Sequence, residues 1–90
     1  MKILHYSTQF KKDSKKYKNQ PEKIEKLLEV LRVLMNDKPL PVELKAHRLG
    51  GQYKDCMECH IEGDFLLIWL DENSDVIKLL RLGSHSELFR

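Results

Sequence analysis

Apolar residues at Ile24, Leu27, Leu28, Leu31, Leu34 and Met35 recur at helical spacing, and Val30 and Val33 widen the stripe. That period predicts an amphipathic helix. Pro21 opens it, because a fixed φ and a missing N–H suit the first helical position. Asn36-Asp37-Lys38-Pro39-Leu40-Pro41 ends it, since proline disfavours helix at and before its own place. Upstream, residues 2–6 (KILHY) read as a short strand, and Ser7 or Thr8 as the N-cap of a first helix over residues 8–18. The apolar stripe of that helix is thin, with Phe10 and Tyr17 and little between. Its remaining positions include Lys11, Lys12, Lys15, Lys16 and Lys18, which form either a solvated face or a cationic rail for phosphates or an acidic partner.

The second half changes period. Residues 53–61 read as a strand, Glu62-Gly63-Asp64 as a tight turn, and residues 65–70 (FLLIWL) as a strand apolar on both faces, as in the middle of a covered sheet. A turn at 71–75 and a strand at 76–82 follow, and the tail 83–89 has room for one helical turn. Strands joined by such short polar turns are antiparallel neighbours. The expected fold is α+β in the order β-α-α-β-β-β, with two N-terminal helices on one face of an antiparallel, four-stranded sheet.

With 90 residues, the chain is expected to form a single domain, 1–90. The longest apolar run, 65–70, falls far short of the ~20 residues that a membrane span needs. The N-terminus lacks the apolar stretch of a signal peptide, so the expected location is cytoplasmic. A net charge of +2 permits an anionic partner without requiring one.

Cys56 and Cys59 are the two cysteines. Cys56-x-x-Cys59-His60 matches the c-type haem attachment pattern. Attachment needs an exported, oxidising route, however, and two helices and a sheet in so short a chain leave no haem cavity. A zinc set of Cys56, Cys59, His47 and His85 meets another obstacle, because strand residues three apart point to opposite faces. Small apolar filler is the expected cysteine role, with no metal and no cofactor. Of four histidines, His5 is read as structural. His47, His60 and His85 sit in polar contexts at or near strand ends, where they can converge on one rim and exchange protons near neutral pH.

Three separated motifs carry a resemblance. Lys45-x-His47-x-Leu49-x-Gly51 with Tyr53-Lys54, then Glu58-Cys59-His60-x-x-x-Asp64, then Arg81-x-Gly83-Ser84-His85-Ser86-Glu87-Leu88-Phe89 resemble the YafQ-type toxins of the RelE/ParE superfamily. The likeness spans the chain. It implies a RelE-like fold with a curved sheet, and a toxin of a type II toxin–antitoxin system. It also implies a ribosome-dependent endoribonuclease, an mRNA interferase that inhibits translation and is held inactive by a cognate antitoxin of the DinJ type. By the same likeness the catalytic residues are His47, His60, Asp64 and His85. Phe65 and Phe89 fall on aromatic positions and Arg81 on a basic one. Family members carry arginine where this chain has Met57, and Arg48 or Arg81 is expected to compensate. Metal-independent RNA cleavage needs a base at the ribose 2′-OH, an acid at the leaving 5′-oxygen and cations around the phosphate. His60 oriented by Asp64 suits the base and His85 the acid, with Arg48 and Arg81 toward the phosphate and Phe65 and Phe89 toward the bases. The alternatives are a non-nucleolytic toxin of the gyrase-inhibitor type, which has no need of four acid–base residues, and a metal-binding module through Cys56 and Cys59.

Overall fold

The computed structural model describes residues 1–73 and 75–89; Ser74, inside the turn expected at 71–75, lies outside them. The elements run β1 (Ile3–Tyr6), α1 (Thr8–Lys15), α2 (Pro21–Met35), β2 (His47–Arg48), β3 (Met57–Glu62), β4 (Phe65–Asp71), β5 (Val76–Gly83) and α3 (His85–Leu88). Single 3₁₀ turns occupy Val42–Leu44 and Gly51–Tyr53. The class is α+β, as the patterning predicts. Among the described residues no helix is long and apolar enough to cross a membrane.

The sheet differs from expectation in count and direction. It has five strands in the order β1-β5-β4-β3-β2. β1 pairs with β5 in parallel, and the remaining pairs are antiparallel. Short turns dictate antiparallel pairing only between β3, β4 and β5. β1 is separated from β5 by two helices and three strands, so no short turn fixes its direction and it is free to run alongside. The extra strand, β2, is two residues long, below what an alternating pattern can reveal. The strand expected from residue 53 begins at Met57, because the chain first turns through Gly51–Tyr53. α1 stops at Lys15 rather than reaching residue 18.

Ser7 caps α1, its Oγ accepting the Phe10 N–H at 3.0 Å. α2 begins at Pro21 and buries Leu27, Val30, Leu31 and Leu34. These side chains pack with Phe10 on one face of the sheet, against Cys59, Ile61, Phe65, Leu67, Trp69, Ile77, Leu79 and Leu82. The opposite face holds a smaller cluster of Cys56, Leu66, Ile68 and Leu88, covered by Leu49, Tyr53 and Phe89. β4 is therefore buried on both sides. From Met57 to Ile61 β3 alternates: Cys59 and Ile61 turn toward the helices, while register sets Glu58 opposite Ile68 and His60 opposite Leu66 on the other face, before the register shifts between His60 and Glu62.

β5 breaks that alternation. Trp69 pairs with Leu79 and Ile68 with Arg81, leaving Leu80 as an extra residue. Regular alternation would place Arg81 on the helix face with Ile77 and Leu79. The bulge moves it across to the face of Glu58 and His60, which is what such irregularities do near functional sites.

Candidate active site

Two groups of residues meet on the face away from α1 and α2. The first centres on Glu58. Its register partner across the β2–β3 pair is His47, and two residues along its own strand is His60. Glu58 is 4% exposed. Its Oε1 lies 3.4 Å from His47 Nε2 and 3.6 Å from His60 Nε2, with the two rings 6.5 Å apart. His47 Nδ1 donates to the Lys45 carbonyl at 2.7 Å, and His60 Nδ1 faces the Gly63 carbonyl at 3.4 Å. A carbonyl only accepts, so Nδ1 holds a proton in both rings, and Nε2 is left to exchange one. The other carboxylate oxygen, Oε2, is buried without a hydrogen-bond partner among the described residues. An unsatisfied buried acceptor costs about 1–3 kcal/mol.

The second group is built on the tail. Ser84 caps α3 by accepting the Glu87 N–H at 3.3 Å, while Glu87 Oε1 accepts the Ser84 N–H at 2.8 Å. These reciprocal bonds form a capping box. Glu87 also accepts from the Tyr17 hydroxyl at 3.3 Å and lies 3.6 Å from Lys16. Its carboxyl is held below the ordinary range by the Ser84 hydrogen bonds, and Tyr17 is pushed up to about 12 by burial and by Glu87. A Cβ at Gly83 would stand 2.9 Å from Glu87 Oε1 and push that carboxylate away from the Ser84 N–H. Leu88 anchors the turn in the smaller cluster. Asp64 Oδ1 accepts the His85 backbone N–H at 2.8 Å. The His85 ring lies 4.7 Å from that of Phe89, which meets Tyr53 edge-on at 5.5 Å. Most of the Gly-Ser-His-Ser-Glu-Leu-Phe motif thus holds His85 in place.

Register sets the two groups at one level. Leu66 pairs with His60 on one side and Gly83 on the other, so two strand spacings, about 10 Å, separate those backbones. Arg81 completes the second group. Its Nε donates to Asp13 Oδ2 at 2.8 Å, one terminal nitrogen to Asp13 Oδ1 at 3.4 Å, and the other to the Tyr53 hydroxyl at 3.2 Å. Asp13 is fully buried and also accepts the Leu82 N–H at 3.0 Å, serving the β5 edge beyond the end of β1. Burial alone would raise this carboxyl, but hydrogen bonds from Arg81, Leu82 and Gln9 hold it below the ordinary range.

Of the sequence-predicted residues, His47, His60, His85, Arg81 and Phe89 belong to these two groups, and Asp64 ties the second together. Asp64 serves the His85 backbone and does not orient His60; Glu58 lies against His60 instead. Phe65 is displaced from its expected stacking role, being buried on the helix face, 4.7 Å from Tyr17 and with the Lys23 ammonium 5.0 Å above its ring. Arg48 pairs in register with Met57, one residue along from the His47–Glu58 pair and therefore on the other face. Met57 packs against the helix-side core, away from His60. Glu58 and Asp13 escaped the sequence reading. The signal for Glu58 was available, since it lies two residues before His60 in a strand. So was that for Asp13, at i+3 from Phe10 on the buried stripe.

Relatives of known kind share this arrangement of elements. The family model for YafQ, a bacterial toxin of a type II toxin–antitoxin system, matches residues 2–90. The chain belongs to the YafQ toxin family. The mRNA interferase toxin YafQ of Escherichia coli K12 is 32% identical over 87 residues, covering 96% of this chain and 94% of the relative. A copper-bound mutant toxin from Helicobacter pylori superposes with a TM-score of 0.89 at 39% identity, covering 99% of this chain and 100% of that one. YafQ in the E. coli DinJ–YafQ complex superposes with a TM-score of 0.87 at 31% identity, with 100% of both chains covered. The copper belongs to the H. pylori protein. Among the described residues of this YafQ family member, no group of three or more His, Cys, Asp and Glu is placed to hold a metal ion. Cys59 is buried, its thiol pushed up to about 12 by burial and the nearby Glu58 charge. That environment is one of inert filler.

Proposed function

We propose that this chain is an mRNA interferase that cleaves mRNA on the ribosome in the cytoplasm by metal-independent acid–base chemistry, and that a DinJ-like antitoxin restrains it. The observation that carries the reading is the pair of imidazoles on one buried carboxylate, with His85 and Arg81 at the same level of the same sheet face. An acid–base nuclease needs such a set, whereas a toxin acting by binding alone has no use for it.

In this reading His60 Nε2 takes the proton from the ribose 2′-OH. The 2′-oxygen bonds to phosphorus, the bond from phosphorus to the 5′-oxygen breaks, and His85 protonates the departing oxygen. Glu58 is a positioning residue that fixes the His47 and His60 rings and stabilises positive charge on them. Arg81, locked in orientation by Asp13 and Tyr53, presents its remaining N–H groups to the phosphate. Phe89 offers a ring for a base.

The test is cleavage of a defined mRNA by the purified chain, with and without translating ribosomes, with the ends of the products identified. The expected products end in a 2′,3′-cyclic phosphate and a 5′-hydroxyl, form only with ribosomes, and vanish with His85→Ala. Products ending in a 3′-hydroxyl and a 5′-phosphate, or cleavage undiminished in His85→Ala, would overturn the chemistry. Equal cleavage of free mRNA would overturn the ribosome dependence.

A further inference from the structure

The loop between β2 and β3 is braced from within. Leu49 donates its N–H to the Cys56 carbonyl at 2.8 Å, closing the loop, and Cys56 donates to the Tyr53 carbonyl at 3.0 Å. Gly51 turns the chain at φ +61°, a conformation that favours glycine, and the Lys54 N–H bonds back to its carbonyl at 3.1 Å. Tyr53 stands on this turn with its ring against the smaller cluster. Its hydroxyl donates to the Leu88 carbonyl at 3.1 Å and accepts from Arg81 at 3.2 Å. The Leu88 carbonyl is one of those that a helix end leaves without an internal partner. α3 is therefore gripped at both ends: Asp64 takes the His85 N–H at the start, and Tyr53 serves Leu88 at the finish.

Both fastenings come from the ends of one strand. β3 carries Glu58 and His60; Tyr53 precedes it and Asp64 follows it. We propose that Tyr53 is a positioning residue for RNA cleavage, its hydroxyl setting where His85 and Arg81 stand relative to His60. The proposal rests on the acid–base reading above and adds what holds the acid in place against the base. Strand register spaces the backbones, but α3 lies beyond the end of β5, where no ladder reaches it. Held by Asp64 alone, so short a helix could pivot about its first residue. A hydroxyl that gives its proton to Leu88 is also a better acceptor for Arg81, so the two bonds strengthen each other. One side chain thereby fixes the cation and the acid together. A ring wanted only for packing has no need of that hydroxyl.

The experiment compares the full chain, Tyr53→Phe and His85→Ala on two ribosome-bound mRNAs, one ordinary and one with sulfur in place of the 5′-oxygen at the cleaved bond. In both, the 2′-oxygen bonds to phosphorus as the bond to the 5′ atom breaks. Oxygen leaves with a proton from His85, whereas sulfur leaves as a thiolate and needs none. On ordinary mRNA, Tyr53→Phe should lower the saturating single-turnover rate about tenfold. On the sulfur mRNA the loss should shrink to less than about threefold, and His85→Ala should regain most of its activity. The ratio of the two rates in one preparation is independent of the folded fraction, so partial unfolding of Tyr53→Phe does not imitate this result. Equal losses on both mRNAs, or no loss on either, overturn the proposal and leave the acid–base reading standing. A parent chain that cleaves neither mRNA, or a His85→Ala variant that sulfur does not restore, overturns that reading and the proposal with it.

Discussion

The two faces of one sheet contrast sharply in this molecule. The face under α1 and α2 is packed with Leu67, Leu79, Trp69 and their neighbours, whose burial supplies most of the hydrophobic stabilisation. The other face has only loops and a one-turn helix over it, and there the chain places Glu58, His60 and Arg81. Alternation in β3 assigns adjacent residues to different tasks: Cys59 supports the fold, and His60 belongs to the candidate site. In the proposed activity thin cover is a condition for the second task, because an RNA strand would have to reach that face.

Single substitutions can break this contrast or sharpen it. On the site face, His60→Ala and His85→Ala should each lower mRNA cleavage by roughly 10²–10⁴-fold with little change in melting temperature. A large drop in melting temperature in either variant would show that the two faces are not separable. On the helix face, Leu67→Ala should cost about 3 kcal/mol in denaturant unfolding, with cleavage per folded molecule preserved. Asp13 spans the divide, rooted in α1 and gripping Arg81. Asp13→Ala should cost about 3 kcal/mol, because it strands Arg81 and the Leu82 N–H, and it should impair cleavage as well. The carboxyl of Asp13 lies below its unfolded value. Its contribution is therefore complete above the ordinary carboxylate range near ~4 and fades as pH falls through that range and below. An acid titration followed by circular dichroism should lose part of its slope in Asp13→Asn. The smallest effect is expected at Met57. Because this side chain packs on the helix side, Met57→Arg should leave kcat/KM unchanged and destabilise by about 1 kcal/mol. A gain in cleavage would show that the position reaches the phosphate after all.

What the sequence makes legible follows from the range of the signal. α2 and the doubly buried β4 are visible because each repeats its pattern over many positions. The parallel pairing of β1 is not, since four residues without a connecting turn say nothing about a neighbour seventy positions away. Arg81 is instructive: its presence at the site depends on the Leu80 bulge, which no alternating pattern announces. Asp13 is hidden for a different reason. In a helix crowded with lysines an acidic residue looks like part of the solvated face, and its burial is decided by a strand end far along the chain. The three histidines could be picked out by chemistry, but the carboxylate between two of them depends on the β2–β3 register.

The pairing of β1 with β5 also orders events in time. Ile3 lies alongside Val76, 73 positions later. At synthesis rates of roughly 5–20 residues per second, β1 waits on the order of several seconds for its neighbour. β5 is flanked on both sides in the finished sheet and is the last strand to be made. Until it arrives, β4 has one open edge, β1 has no partner, and Asp13 has neither Arg81 nor the Leu82 N–H to receive. Arg81 and His85 belong to this same late stretch. A growing chain on its ribosome thus carries both helices before it carries Arg81 and His85 on the opposite face of the sheet.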